Sequence, residues 1–309
     1  MRPHREGLDA IWEATERRGK VLAQHPELEQ LERLVAEALL HCVQGKLSWS
    51  EVDEARAARD LFLAQNKIPF GYAEPRYRCS LCQDEGYING KKCSCKKQEH
   101  LNRLFSGSGL PQLLKSETFD CYDLKWYSPI RKTPIGITER EAADEARKAC
   151  MQFVASSAEG RKPRGLYIYG KAGLGKTLLL SAMCNALVQN GIPTLYMVFS
   201  DLIADIKKSF DQQDSAWSES ALMAAAKKAS VLMLDDLGAE QITEFVINRL
   251  FDIVNYRRNN ELPLLVSSNL SIPEIGAWYG ERVSSRLWEI CSPIPMFGQD
   301  IRIQKTRQP

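Results

Sequence analysis

The sequence predicts an α/β fold, in which a parallel β-sheet is flanked by helices and preceded by a smaller N-terminal domain. Short apolar runs alternate with amphipathic segments along the C-terminal half of the chain, a pattern typical of parallel sheets. A glycine-rich loop follows the first of these runs. Upstream, four of the nine cysteines lie within 17 residues, which predicts a small metal-bound element.

The N-terminal region, residues 5–65, is predicted to be helical. The segment HPELEQLERLVAEALLHCVQGK places apolar residues at helical spacing, and Gly45 suits its end. Ser48 and Glu51 match a capping box that opens the next helix. Pro69 and Pro75 then interrupt the helical pattern ahead of the cysteines.

Composition narrows the class of protein. Hydrophobic residues make up 44% and charged residues 26%, as in soluble globular proteins. The net charge of +2 is too small to indicate any particular kind of partner. No apolar run approaches the ~18 residues of a membrane span. The first 20 residues are charged throughout and lack the apolar core of a signal peptide. We therefore expect a cytoplasmic protein without a membrane partner. Disulfides rarely persist in the cytosol.

The cysteines follow the pattern C-x₂-C-x₁₀-C-x-C. Four thiolates around one ion form a common structural zinc site, and Gly86 and Gly90 suit the turns that such a site needs. His100 stays open as a substitute ligand. The alternatives are four reduced thiols on an exposed loop and a redox motif, although no thioredoxin-like pattern surrounds the cysteines. The predicted zinc ligands are Cys79, Cys82, Cys93 and Cys95.

Nucleic-acid contact by this module is a further alternative. Residues 76–103 carry seven Lys/Arg against three Asp/Glu, a local charge of +4. Four thiolates and one Zn²⁺ contribute −2, which leaves about +2. That charge is too small to predict DNA binding on electrostatic grounds.

The following residues, 106–135, contain SGSG, two prolines and a series of aromatic residues. We interpret them as a linker that leads into the next domain. The predicted organisation is therefore a helical and zinc-binding domain over 1–105, a linker over 106–135 and a nucleotide-binding domain over 136–309.

The glycine-rich loop matches G-x-x-x-x-G-K-[ST], and it lies between a predicted strand and a predicted helix. In this context backbone N–H groups turn toward phosphate oxygens, and the helix N-terminus favours the same anion. Lys176 should reach the β- and γ-phosphates, and the Thr177 hydroxyl should bind Mg²⁺. A glycine-rich turn without function is disfavoured by the strand and helix around it. The predicted nucleotide ligands are Gly170, Lys171, Ala172, Gly173, Leu174, Gly175, Lys176 and Thr177.

The strand SVLMLDD ends in two carboxylates, and strand ends of this kind face the ligand crevice of a parallel sheet. Asp235 is predicted to hold Mg²⁺, and Asp236 to act as general base on the attacking water. Asp236 reaches less far toward the water than a glutamate would, because its side chain is one methylene shorter. Glu240, further along the chain, is a weaker alternative for the general base. A solvated Asp-Asp turn without function is the competing interpretation.

Two further polar sets are candidates on weaker grounds. Asn269, after the strand LPLLVSS, can hydrogen-bond a γ-phosphate or the lytic water. Arg282 and Arg286 lie four apart on one helix face, where an arginine can stabilise transferring phosphate, but a surface salt-bridge face is favoured on chemistry alone. Lys207 and Lys208 can meet single-stranded DNA, although a solvated helix is the simpler interpretation.

Seven motifs, in their order along the chain, resemble those of the AAA+ ATPases. They are FDCYDLKWYS, YGKAGLGKT, FSDLIADIKKSF, LMLDDLGAE, SSNLS, ERVSSRL and FGQDIR. More specifically, they resemble bacterial replicative-helicase loaders of the DnaC/DnaI type and the related IstB-like ATPases. Only 40 residues follow Asn269, so the resemblance implies little or no lid domain and a nucleotide site that a neighbouring subunit or the helicase completes.

The resemblance also implies roles for individual residues. The loop from Gly170 to Thr177 corresponds to Walker A, and Asp236 would be catalytic beside Asn269 at the sensor 1 position. Arg286 falls at the arginine-finger position, with Arg282 still open, and Arg302 falls near the sensor 2 position as a nucleotide ligand. Walker B comprises Asp235 and Asp236.

The implied function is an ATP-dependent loader that binds the hexameric replicative helicase and delivers it onto single-stranded DNA during replication initiation or restart. ATP hydrolysis would be slow and regulated by the partner, with ATP/ADP, Mg²⁺ and Zn²⁺ as cofactors. The zinc-containing region would dock on the helicase, and copies would assemble with one another or on its ring.

Three other functions stay open at this point. An IstB-like ATPase would assist a transposase in transposition, and the upstream cysteines argue weakly against it. A small-molecule P-loop kinase is disfavoured because no acceptor pocket is recognisable in the sequence. A non-hydrolysing ATP-gated adaptor is kept open by the short Asp236 at the position of the general base.

Overall fold

The computed structural model describes residues 5–104, 116–209 and 218–307 of the 309-residue chain. The chain divides into two compact units, Met1–Cys93 and Ser94–Pro309. The domain limits that the sequence predicts, at residues 105 and 135, stay a prediction. No helix among the described residues has the length and apolar character that crossing a membrane requires.

The first unit is helical, as predicted, and ends in a small hairpin. Leu28, Leu63, Ile68 and Tyr72 form its buried cluster. The predicted capping box is present, since the backbone N–H of Ser48 donates to Glu51 Oε2 at 2.8 Å. The elements are α1 (Arg5–Gln24), α2 (Pro26–Val43), α3 (Trp49–Gln65), β1 (Tyr87–Ile88) and β2 (Lys91–Lys92).

The second unit contains the sheet and its flanking helices. Its strands are β3 (Gly165–Tyr169), β4 (Thr194–Val198), β5 (Val231–Leu237), β6 (Leu264–Ser268) and β7 (Cys291–Pro295). Its helices are α4 (Ser94–Leu104), α5 (Glu139–Ala158), α6 (Lys176–Gln189), α7 (Phe199–Lys208), α8 (Glu219–Lys228), α9 (Glu244–Asn259), α10 (Ile272–Tyr279), α11 (Glu281–Ile290) and α12 (Ile301–Arg307).

The five strands are all parallel and follow the order β4-β5-β6-β3-β7, with apolar clusters on both faces. The predicted parallel sheet flanked by helices is therefore confirmed. Strand β7 was not predicted, because its sequence CSPIP contains two prolines. An edge strand tolerates proline, since only one of its sides needs backbone donors. Residues 270–307 add β7 to the sheet and form no separate lid domain.

The described part of the predicted linker, residues 116–135, is part of the second unit and packs against α5 and α6. Tyr122 and Tyr127 are buried, and the Tyr127 hydroxyl donates to the carbonyl of Leu174 at 2.7 Å. The aromatic side chains explain this packing, because two buried rings remove a large apolar area from water. Residues 106–115 lie outside the described part of the chain.

The outer edge of strand β4 is covered by a side chain of α4. The Gln98 amide donates to the carbonyl of Thr194 at 2.9 Å and accepts from its N–H at 2.8 Å. A primary amide presents a carbonyl oxygen and an N–H on the same side, so Gln98 can pair with both the N–H and the C=O of Thr194 at this edge.

Candidate nucleotide-binding site and cysteine cluster

The loop between β3 and α6 has the backbone shape of a phosphate cradle. Gly173 and Gly175 have φ values of 75° and 82°, in the left-handed region that glycine adopts without strain. A Cβ at Gly175 would also lie 3.0 Å from the Tyr122 ring. The loop ends at the N-terminus of α6, where backbone N–H groups favour an anion.

Lys176 and Asn269, which were predicted from separate motifs, lie in direct contact. The Lys176 ammonium donates to the carbonyls of Gly170 at 2.7 Å and Lys171 at 2.8 Å, and to Asn269 Oδ1 at 2.8 Å. Burial lowers the pKa of Lys176 below its usual value, and the negative charge of Asp236 offsets part of this lowering. These three acceptors hold the cation at the mouth of the loop.

Asp235 is buried at the end of β5 and accepts three hydroxyl groups. Tyr196 donates to Oδ2 at 2.5 Å, Ser267 donates to Oδ1, and Thr177 Oγ1 lies 3.3 Å from Oδ1. The pairing of Thr177 with a carboxylate fits Mg²⁺, which prefers oxygen ligands and keeps several waters. The sequence did not single out Tyr196, because it lies within the apolar run PTLYMVF.

Asp236 adopts a left-handed conformation with φ of 53°, at an irregularity in the pairing of β5 with β6. Its N–H donates to Ser267 Oγ at 2.9 Å, and its Oδ1 accepts from Asn269 Nδ2 at 3.3 Å. A non-glycine residue in this region costs about 1–3 kcal/mol and often marks a functional site. The backbone turn thus places this carboxylate beside Asn269.

Glu240, the weaker candidate base, is engaged elsewhere. It accepts a hydrogen bond from the Tyr279 hydroxyl at the end of α10 and another from the Gly238 N–H at 3.1 Å. Burial raises its pKa above the usual value. These contacts tie the loop after β5 to α10, so Asp236 is the better candidate for general base.

The candidate arginines have partners of their own. Arg286 donates to Glu289 at 3.1 Å on the same helix, and the Arg282 guanidinium lies 4.2 Å from the centre of the Phe251 ring. Arg302 is close enough to Lys176 for its charge to lower the pKa of the lysine. The predicted roles of all three toward phosphate stay predictions.

The predicted zinc ligands come together in one cluster. The Sγ atoms of all four cysteines lie within 4.8 Å of one another, and those of Cys79 and Cys93 are 3.8 Å apart. Tetrahedral thiolates about 2.3 Å from zinc are roughly 3.8 Å apart, so this donor set fits a structural Zn²⁺.

Turns around the cysteines prepare this geometry. The N–H of Gly86 donates to Cys82 Sγ at 3.2 Å, and that of Cys93 donates to the Gly86 carbonyl at 2.9 Å. Asn89 and Gly90 both have positive φ, as a two-residue turn of type I′ between β1 and β2 requires. The side chain of His100 lies outside the described part of the chain.

The fold and the loop define an ATP-binding protein of the P-loop class, with the AAA+ arrangement of strands. The model of the family described as "IstB-like ATP binding protein" matches residues 140–308, more than half of the chain. This chain belongs to the family of IstB-like ATP binding proteins.

Individual relatives extend the likeness beyond the matched residues. The replicative helicase loader DnaI of Bacillus subtilis is 28% identical over 278 residues, covering 77% of this chain and 82% of DnaI. The DnaC loader of Escherichia coli K12 is 24% identical over 188 residues, covering 60% and 69%. A crystal structure of DnaI superposes with a TM-score of 0.50 at 25% identity, over 61% of this chain and 95% of that one.

Proposed function

We propose that this protein is an ATP-dependent loader, which binds the replicative DNA helicase and delivers it onto single-stranded DNA. The observation that carries the proposal is the likeness to DnaI, a relative named as a replicative helicase loader, over 77% of the chain. The contact between Lys176 and Asn269, which directly follows β6, supports an ATP-driven step.

In this proposal the loop from Gly170 to Thr177 surrounds the phosphates with backbone N–H groups. Lys176 exchanges its carbonyl and Asn269 contacts for phosphate oxygens, and Thr177 and Asp235 would hold Mg²⁺. Bound there, Mg²⁺ would supply charge neutralisation on the phosphates. Asp236 accepts the proton of the attacking water, and Asn269 positions that water or the γ-phosphate.

Conversion of Asp236 to asparagine should separate a hydrolysing loader from an ATP-gated adaptor. We expect turnover to fall at least about 100-fold, because a general base contributes this much, while ATP affinity stays unchanged. Steady-state phosphate release and equilibrium binding of a fluorescent ATP analogue measure the two quantities. Asp201→Asn on the exposed face of α7 is the control, with turnover expected as in the wild type. Unchanged turnover in Asp236→Asn would favour the adaptor.

Exposed apolar side chains on the first unit support its proposed role in docking. Trp12 is 67% exposed and Trp49 61% exposed, and large apolar side chains on all three helices share this exposure. Exposed apolar side chains that come together in one patch mark an interaction surface, and these residues are the candidates for such a patch. They are Leu8, Ile11, Trp12, Leu34, Leu40, Val43, Trp49 and Leu61.

Docking is tested by capturing the host's replicative helicase on the purified protein, with ATP and with ADP. We expect the helicase to bind the full chain and not residues 106–309. Trp12→Ala and Trp49→Ala should weaken capture, because each removes a large exposed apolar group. Trp278→Ala, which alters a tryptophan of the second unit that is 51% exposed, is the matched control. Capture that survives the truncation would contradict a docking role for residues 1–105.

Single-stranded DNA binding and assembly into a ring are further parts of the proposal. Lys207 and Lys208 are exposed at the end of α7, where they can contact a phosphate backbone. Arg286 at the protein surface can act on the nucleotide of a neighbouring copy. ATP-dependent self-association, lost in Arg286→Ala, is the expected signature of such a site.

A transposition-helper ATPase is the second candidate, favoured by the match to the IstB-like family over residues 140–308. The same capture experiment decides between the two. Failure to bind the helicase in either nucleotide state, together with capture of a transposase, would select this alternative.

A further inference from the structure

Tyr196 is the one hydroxyl on Asp235 that comes from the edge strand β4, whereas Thr177 follows the loop and Ser267 lies on β6. We propose that Tyr196 is a positioning residue for the Mg²⁺ site, which selects the oxygen of Asp235 that faces the metal. The inference rests on the proposed ATP–Mg²⁺ function and adds a residue that neither the loop motif nor the two strand-tip aspartates include.

The two oxygens of Asp235 have different surroundings. Oδ2 accepts the Tyr196 hydroxyl at 2.5 Å, and Oδ1 lies 3.3 Å from Thr177 Oγ1. Because the Tyr196 hydroxyl holds Oδ2, Oδ1 is the oxygen that faces the predicted metal ligand Thr177. Ser267 also donates to Oδ1, so loss of the Tyr196 hydroxyl would leave the carboxylate held through Oδ1 and no longer through Oδ2, and its orientation would be less fixed.

The position of the phenol is set by the sheet. Tyr196 pairs with Met233 in the register of β4 and β5, so its ring extends along the sheet to reach Asp235, two residues further on. The ring is 3% exposed and belongs to the apolar cluster beneath α6. Gln98 holds the same strand from outside through Thr194. The hydroxyl therefore approaches Asp235 from a rigid support.

The hydroxyl is a suitable donor for this contact. A tyrosine phenol ordinarily titrates at about pH 10, so it carries its proton at neutral pH. A protonated phenol beside a carboxylate makes a charge-assisted hydrogen bond, which is short and strong. Groups that orient a metal ligand in this way typically change metal affinity about 10–100-fold when they are removed.

The simplest competing role for Tyr196 is to fill the core. Tyr196→Phe keeps the ring and removes only the hydroxyl, so it separates packing from orientation. Tyr167→Phe is the matched control, because Tyr167 is equally buried and its hydroxyl donates at 2.8 Å to the carbonyl of Leu270, away from Asp235. Both variants lose the hydrogen bond that a tyrosine hydroxyl donates, and Tyr196→Phe is the one that changes the surroundings of Asp235.

The test measures binding of a fluorescent ATP analogue to the full chain over a range of Mg²⁺ concentrations. For Tyr196→Phe we expect the Mg²⁺ concentration at half-maximal effect to rise about 10-fold or more. Affinity in EDTA should be unchanged, and excess Mg²⁺ should restore turnover. Tyr167→Phe should keep the wild-type Mg²⁺ dependence.

Two outcomes overturn the inference in distinguishable ways. If Mg²⁺ affects the wild type and Tyr196→Phe equally, the inference is wrong and the proposed function stands. If Mg²⁺ has no effect on nucleotide binding by the wild type, the proposed ATP–Mg²⁺ step fails and the inference fails with it.

Discussion

Replacing Lys176 with alanine is expected to weaken ATP binding at least about 100-fold. The Lys176 ammonium is held at the mouth of the loop by the carbonyls of Gly170 and Lys171 and by Asn269 Oδ1. Phosphate oxygens would take the place of these acceptors, and hydrogen bonds to charged groups contribute about 1.5–3 kcal/mol each. Alanine removes every one of them and takes the positive charge of the lysine away from the phosphates.

Titration with a fluorescent ATP analogue measures this loss, and circular dichroism confirms that the variant is folded. Lys162→Ala is the control, because this lysine is exposed ahead of β3 and forms a surface ion pair with Glu261 at 3.7 Å, away from the loop. Its affinity should match the wild type. Equal affinities for Lys176→Ala and the wild type would mean that the loop does not hold phosphate.

Removal of zinc is expected to unfold the segment from Cys79 to Cys95 and to abolish docking on the helicase. The hairpin between the cysteines consists of two strands of two residues each, and its strand residues are exposed, so it has little core of its own. Binding of structural zinc contributes about 10–16 kcal/mol in small metal-bound domains, which is far more than such a hairpin can otherwise supply.

The change is made with a strong chelator or with Cys82→Ser combined with Cys93→Ser. Elemental analysis should find one zinc per chain in the wild type and none in the variant. Limited proteolysis should then cut the variant near the hairpin, while ATP affinity stays unchanged. Cys121→Ser, at an exposed cysteine outside the cluster, is the control. A zinc-free protein with full protease resistance and helicase capture would contradict the prediction.

Features encoded by neighbouring residues could be predicted from the sequence. The capping box of Ser48 and Glu51, the loop from Gly170 to Thr177 and the cysteine spacing are local patterns, and each is present as predicted. Strands β3 to β6 were equally accessible, because their apolar runs are short and bounded by polar or glycine residues. Strand β7 was missed because its two prolines conceal the pattern of an edge strand.

Contacts between distant residues required the tertiary structure. The sequence alone predicted the fold class, the turn of the loop from Gly170 to Thr177 and the clustering of the four cysteines, since each follows from residue type and spacing over a few turns of chain. Only the structure brought Tyr196 to Asp235 and engaged Glu240 with Tyr279, 39 positions apart in both cases. These pairs depend on strand order and on the packing of helices against the sheet, which local periodicity does not specify.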